Sequence, residues 1–309
     1  MAAGKRKAAV TGAFSYTGQY VARALMQRDW EVITLTRNPS KPHPLQGKIK
    51  AFPLDFSNPK QLRETLLGVE VLVNTYWVRF NYPGSSFEQA VENTNTLLKA
   101  AEDAKVRRVV HISVSNPDLN SGLPYFRGKA QVETIIQSGK LSYTILRPTI
   151  IFGNEEVLIN NITWLLRHLP FFGIPGDGQY RVQPLFVEDL AKIAAESAKN
   201  NNNQILDIAG PEVFSFAELI QFLKKLVGSR VLLMHLRPSA ALLMTKELGV
   251  LLGDVLLTQD ELTALMEERL IVKGEPLGQT RFSDWAQEQR STLGQHYVNE
   301  LKRHHGKAG

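Results

Sequence analysis

The chain has 309 residues, 43% of them hydrophobic and 21% charged, a composition that can bury a large core and suits one big α/β domain with a smaller appendage. It contains no cysteine, which excludes disulfides, thiolate nucleophiles and cysteine metal sites. The formal net charge of +6 sits at the ends, where Lys5, Arg6, Lys7, Lys302, Arg303 and Lys307 face no acid in residues 1–10 or 301–309, so the body is formally neutral and no basic groove for nucleic acid is expected.

Residues 8–10, 32–35, 49–52, 69–73, 109–112 and 143–146 are apolar runs of strand length. Most are continuous rather than alternating, as in strands buried on both faces of a parallel sheet. Helical patterns fall between them at residues 20–26, 59–67, 87–103 and 125–137. Strand and helix in alternation predict a doubly wound α/β fold of Rossmann type over residues 1–150. Beyond Pro148 the pattern predicts a helix at 159–168, a turn-rich segment at 170–178, a helix at 187–198 and a strand at 204–208. The rest reads as mostly helical, interrupted at 230–236, so residues 151–309 are expected to form a smaller, substrate-side subdomain from which some elements return to the core. Asn200 to Asn203 read as a loop.

Gly12, Ser15 and Gly18 stand where the first strand turns into a helix. Glycine at 12 permits a tight turn, a small residue at 15 lets backbone approach a phosphate, and Gly18 lets helix pack on strand, while the helix N-terminus supplies N–H donors. Such a turn fits a dinucleotide diphosphate, with Phe14, Tyr16 and Thr17 of the same stretch beside it. The end of the second strand carries Thr36-Arg37-Asn38 where an NAD site places an acid. An arginine there clamps a 2′-phosphate, so Arg37 predicts NADP(H) over NAD(H), the bland reading being a solvated loop residue. Asp55, followed by Phe56, ends the third strand and is placed either to accept from an adenine amino group or to cap the next helix.

Tyr125 and Lys129 form the only Tyr-x-x-x-Lys of the chain, just after Pro124 and after a strand that ends in Ser113 and Ser115. At i and i+4 they share a helix face. Carbonyl reduction needs a proton donor for the oxygen, and an ammonium beside a phenol lowers its pKa toward neutrality. Tyr125 is then the acid/base and Lys129 its electrostatic partner and a holder of ribose hydroxyls. Either serine can bond the substrate oxygen.

With turn, arginine, serine pair and Tyr-x-x-x-Lys in this order, the chain resembles the extended or atypical short-chain dehydrogenase/reductase superfamily, of the NAD(P)-dependent epimerase/dehydratase kind. The resemblance covers most of the chain. It includes Leu146-Arg147-Pro148-Thr149, Pro175-Gly176-Asp177-Gly178 and Phe186-Val187-Glu188-Asp189. Within that superfamily it is most similar to proteins related to the NAD(P)H-binding accessory subunit of respiratory complex I, in the Tyr125 to Lys129 stretch and around Asp254 to Thr258. The resemblance implies that Pro148 faces the nicotinamide and that Asn74 and Thr75, after the fourth strand, line the cofactor. Ser15 departs from the usual middle glycine. Tyr76 and Trp77 replace small residues and would narrow the substrate entrance, which favours a small or flat apolar substrate over a nucleotide-sugar.

The leading expectation is therefore an NADP(H)-dependent oxidoreductase, with a non-catalytic NAD(P)H-binding accessory or redox-sensor protein as its alternative. No N-terminal segment reads as a leader and no apolar run approaches the roughly 18 residues of a membrane span, so a cytoplasmic location is expected. Peripheral membrane contact is a minor alternative, prompted by the apolar residues 240–244 and 250–252. The histidines form no ligand-spaced cluster, and no metal is expected. Whether the Leu- and Met-rich C-terminal helices pair with another copy is not written in the pattern, and the oligomeric state is left unknown.

Overall fold

Runs of Val, Ile, Leu and Ala that bury both faces build the strands of the computed structural model, which describes residues 5–81 and 84–305. In chain order the first elements are β1 (Lys7–Thr11), α1 (Tyr16–Met26), β2 (Glu31–Thr36), β3 (Lys50–Pro53), α2 (Pro59–Leu66), β4 (Val71–Asn74), α3 (Phe87–Asp103), β5 (Arg108–Ile112), α4 (Pro124–Ser138) and β6 (Ser142–Pro148). There follow β7 (Ile151–Phe152), α5 (Leu158–His168), β8 (Phe171–Pro175), β9 (Arg181–Val182), β10 (Leu185–Phe186), α6 (Val187–Ser197) and β11 (Gln204–Ile208). The remainder is β12 (Phe214–Ser215), α7 (Phe216–Leu226), β13 (Leu232–Leu236), α8 (Pro238–Leu252), α9 (Gln259–Met266), α10 (Phe282–Glu288) and α11 (Glu300–His305).

Contacts divide the chain into two units. The first holds residues up to Pro148 together with Val187–Ile208, and the second holds Thr149–Phe186 and the residues from Ala209 on. In the first unit seven strands form one sheet in the order β11-β6-β5-β4-β1-β2-β3. Every neighbouring pair is parallel. The order reverses between β1 and β4, and the loops at the carboxyl ends of the strands open a crevice there. A buried cluster joins Ala9, Ile33, Leu72, Val109 and Ile145 of the sheet to Leu62, Leu97 and Val132 of α2, α3 and α4. Helices α1 and α6 supply none of that cluster and pack on each other.

The second unit has its own core around Phe152, Ile162, Leu166, Ile220, Leu223, Phe282 and Trp285. Its strands are short two-stranded pairs: β10 with β7, β12 with β9, and β13 with β8. The turn-rich segment expected at 170–178 contains a true strand, β8, because β13 pairs with it in parallel from Leu232↔Phe171 to Leu236↔Pro175. Of the later strands only β11 joins the main sheet, beside β6, while the interruption at 230–236 becomes β13 of this separate ribbon. Helix α1 starts at Tyr16 rather than at residue 20.

That early start depends on one glycine. A Cβ on Gly18 would lie 2.2 Å from the carbonyl oxygen of Gly12 and 3.1 Å from Cα of Ala13, so α1 can rest on the turn only without a side chain there. Gly18→Ala is expected to cost about 3 kcal/mol in urea denaturation, through overpacking against backbone that cannot yield. A loss below about 1 kcal/mol, typical of an ordinary surface change, would show that the seat is not this tight.

Candidate functional site

Gly12 takes a left-handed φ of 66°, and its carbonyl accepts the N–H and the hydroxyl of Ser15 at 2.8 and 2.6 Å. The serine that replaces the usual middle glycine therefore folds back onto the turn. Helix α1 has no side-chain cap and no acid in its first turn, which leaves its positive end open to an anion. Phe14 is buried and stacks on His43 at 5.0 Å, with Lys41 Nζ 3.4 Å from the Phe14 carbonyl oxygen. Tyr16 meets Tyr20 edge-on at 5.8 Å, and Thr17 is half-buried beside it. Arg37 follows β2 exposed, with neither hydrogen bond nor ion pair among the described residues. These features fit an anionic dinucleotide.

Asp55 is exposed, and the hydroxyl of Ser57 at 2.6 Å and its N–H at 2.9 Å hold the carboxyl below the usual carboxylate range. It does not cap α2. Asn58 does, accepting the N–H of Gln61 at 3.1 Å. Phe56 instead packs its ring on Tyr76, 4.8 Å away.

At the centre of the crevice a buried polar joint ties the strand ends together. The Asn74 amide oxygen accepts Thr11 Oγ1 and the N–H of Tyr76, both at 3.1 Å, and its amide nitrogen donates to His111 Nδ1 at 3.2 Å. Thr75 completes it, with N–H to Thr11 Oγ1 at 2.8 Å and hydroxyl to the Thr11 carbonyl at 2.5 Å. The Asn74 side chain is buried and held by Thr11, Tyr76 and His111, and a ligand would meet the backbone at 74–75. Burial pushes the His111 imidazole well below its usual pKa, and Lys129 adds to the effect. The ring is neutral, and Nε2 has no partner among the described residues.

Helix α4 carries the expected pair. Tyr125 is half-buried, its ring edge-on to Trp77 at 6.0 Å and to Phe87 at 5.7 Å. Lys129 is only 3% exposed. Its Nζ donates to the Ile112 carbonyl at 2.9 Å and lies 4.6 Å from the centre of the Trp77 ring. Burial lowers its pKa from 10.5 to about 7, partly offset by Glu133. Trp77 is seated against α4 at Gly128, where a Cβ would come within 3.1 Å of the indole, and Phe87 stacks on it at 6.1 Å. The indole N–H is buried with no partner among the described residues. Tyr76, the other aromatic of this loop, is pinned by Asn93, whose amide donates to its hydroxyl at 2.8 Å.

The two serines part company. Ser113 gives its hydroxyl to Glu133 at 2.5 Å, and Arg147 grips the same carboxylate through two nitrogens at 2.5 and 3.0 Å. Ser115 is buried at the strand end, its N–H on the carbonyl of Pro148 at 2.8 Å. Glu133 and Arg147 were not among the residues singled out from sequence, although Glu133 stands one turn beyond Lys129 on the same face. His111, Phe87, Lys41 and Gly128 were also missed. Among the described residues no three His, Asp or Glu side chains gather as a metal site, and no helix is long and apolar enough to cross a membrane.

A parallel sheet with a glycine turn leading into α1 and a strand reversal beside it defines a fold of Rossmann type, the kind that binds dinucleotides at this place. Residues 12–163 match the NAD(P)H-binding family model. The chain is similar to the mitochondrial NADH-ubiquinone oxidoreductase 40 kDa subunit of Neurospora crassa, 24% identical over 235 residues, covering 74% of this chain and 62% of that protein. It is similar to quinone oxidoreductase 2 of Escherichia coli, 25% identical over 247 residues, or 78% of this chain and 82% of that one. The triphenylmethane reductase of a Citrobacter species, solved with NADP(H), shares the fold with a TM-score of 0.73 at 20% identity, covering 92% of this chain and 99% of that one.

The buried ammonium sets a pH signature. Lys129 loses its proton near pH 7 when folded and near 10.5 when unfolded, so between those values the unfolded chain holds more proton and this group makes stability rise with pH. Lys129→Met removes the contribution. The melting temperature of the variant minus that of the wild type is expected to be most favourable below pH 7 and to fall steadily toward pH 10; a flat difference would refute the burial of the charge.

Proposed function

We propose that the protein is an NADP(H)-dependent oxidoreductase that reduces a flat, apolar carbonyl compound of quinone type. The observation that carries this reading is the Tyr125–Lys129 pair, one turn apart on α4, with Lys129 on the end of β5 and the rings of Trp77 and Phe87 against Tyr125. Flat aromatic walls suit a flat ring, and the names of the quinone and triphenylmethane reductases point the same way. The uncapped end of α1 and the Gly12 turn would hold the diphosphate, and Arg37, with Lys41 beside the turn, the 2′-phosphate. When bound, the reduced nicotinamide supplies a hydride. Tyr125 gives its phenolic proton to the substrate oxygen as that oxygen gains charge, and the Lys129 ammonium eases the proton's departure. Ser113 or Ser115 at the strand end would bond the same oxygen, Ser113 only by giving up its hydrogen bond to Glu133.

One observation favours a second reading. Lys129 is enclosed by the Ile112 carbonyl and the Trp77 ring, so it reaches ribose hydroxyls only if the indole moves. A chain in which Trp77 never leaves would bind NADP(H) without turnover, as an accessory or sensor protein. NADPH oxidation with a panel of quinones separates the two: wild type is expected to turn over, Tyr125→Phe to lose about a hundredfold or more, and Trp77→Ala to lower KM for cofactor while raising KM for the quinone. Inactive wild type, with NADPH held tightly, would establish the second reading.

Coenzyme choice has its own test. Wild type is expected to bind NADPH at least about tenfold tighter than NADH in fluorescence titrations, and Arg37→Asp to abolish that preference by placing a carboxylate against the phosphate. Equal affinities in the wild type would remove Arg37 from the site.

A further inference from the structure

In the second unit, the ribbon of β8 and β13 and the helix α8 leave several large apolar side chains in contact with solvent. Phe171 and Leu232 are register partners of a parallel pair and so point to the same side of the ribbon, where they are 45% and 62% exposed. Gly173 faces that side too. A Cβ there would meet Leu236 at 2.6 Å and Met244 at 2.8 Å, which places α8 over the middle of the ribbon through Met244. Of the fifteen residues of α8 only Ala241 and Gly249 are buried. Leu243, Val250 and Leu251, at i, i+7 and i+8, share one side of the helix and are 60%, 77% and 82% exposed.

From Glu218 to Asp254 the chain carries five cations, Lys224, Lys225, Arg230, Arg237 and Lys246, and three acids, of which Glu218 is engaged by Ser215 and Asp254 by Tyr297. Lys224 and Lys225 line one hollow with Leu232.

We propose that this face docks on a membrane surface rich in anionic headgroups, with α8 lying in the plane of the interface. Aliphatic side chains without hydrogen-bonding groups, with Lys224 and Lys225 beside Leu232, match the acyl boundary below a negative headgroup layer. A second copy fits poorly, because a two-fold pairing of like faces sets these cations against themselves. A protein interface of this size would carry more Tyr and Trp and fewer Lys. At 1.5 Å per residue α8 is roughly 22 Å long, too short to span a bilayer and suited to lie on one.

The test is co-sedimentation of the full chain with vesicles of phosphatidylcholine alone or with about one third phosphatidylglycerol. Wild type is expected to pellet with the anionic vesicles, about tenfold more weakly with the neutral ones or in high salt. The double variant Val250→Asp/Leu251→Asp is expected to lose pelleting with an unchanged circular dichroism spectrum and melting temperature, as befits exposed positions. Lys224→Glu/Lys225→Glu should weaken pelleting without changing the fold. Absence of pelleting with anionic vesicles, equal pelleting with neutral ones, or undiminished pelleting of the Val250/Leu251 variant would overturn the proposal. So would sedimentation velocity showing a dimer that this variant breaks, since a second copy would then cover the face.

Discussion

The geometry of the crevice hangs on the amide of Asn74. In an interior of low dielectric an unmade hydrogen bond is costly, so a buried amide with partners on three sides admits one arrangement. Here the partners are Thr11 at the end of β1, His111 within β5 and the backbone of Tyr76. The direction in which Tyr76 and Trp77 leave β4 is therefore set by a polar joint beneath them, and the aromatic wall is as rigid as that joint. Arrangements of this kind place function on loops while the sheet supplies the precision.

A second constraint is the handling of buried charge along α4. Tyr125, Lys129 and Glu133 follow each other at intervals of one turn on a single face. Glu133 is compensated twice over, by Arg147 and by the Ser113 hydroxyl. Lys129 is left with a carbonyl and the face of an indole, partners that stabilise an ammonium less than a carboxylate in direct contact would. His111, next in line, answers the same pressure by staying neutral. With no carboxylate in direct contact, the lysine yields to desolvation.

Much of the first unit was legible because its signals are local. Continuous Val, Ile and Leu runs mark doubly buried strands, and α3 begins behind Ser86, whose hydroxyl accepts the N–H of Gln89. Of the candidate site, spacing brings forward the glycine turn and the pair Tyr125 and Lys129. Features that depend on distant partners were not. The stretch Phe171–Pro175 has proline and glycine enough to read as turn, and only the arrival of β13 makes it a strand. The start of α1 at Tyr16 relies on the fit of Gly18 over Gly12, which overrides the weak helix preference of Thr17 and Gly18. The diversion of Ser113 to Glu133 depends on the rotational setting of α4 over β5, and Gly128 reads as an ordinary helix interruption until Trp77 is seen resting on it.

The return of residues 187–208 to the first unit orders events on the ribosome. As the chain emerges, β1 to β6 can pair early, but β6 keeps an open flank until β11 has been made. Between them lies a stretch that belongs to the second unit, whose larger part, from Ala209 on, is made later still. A nascent chain halted anywhere between residues 149 and 203 would thus present an unpaired parallel edge, the kind of surface that recruits chaperones or foreign strands, and neither unit is finished before the other has begun.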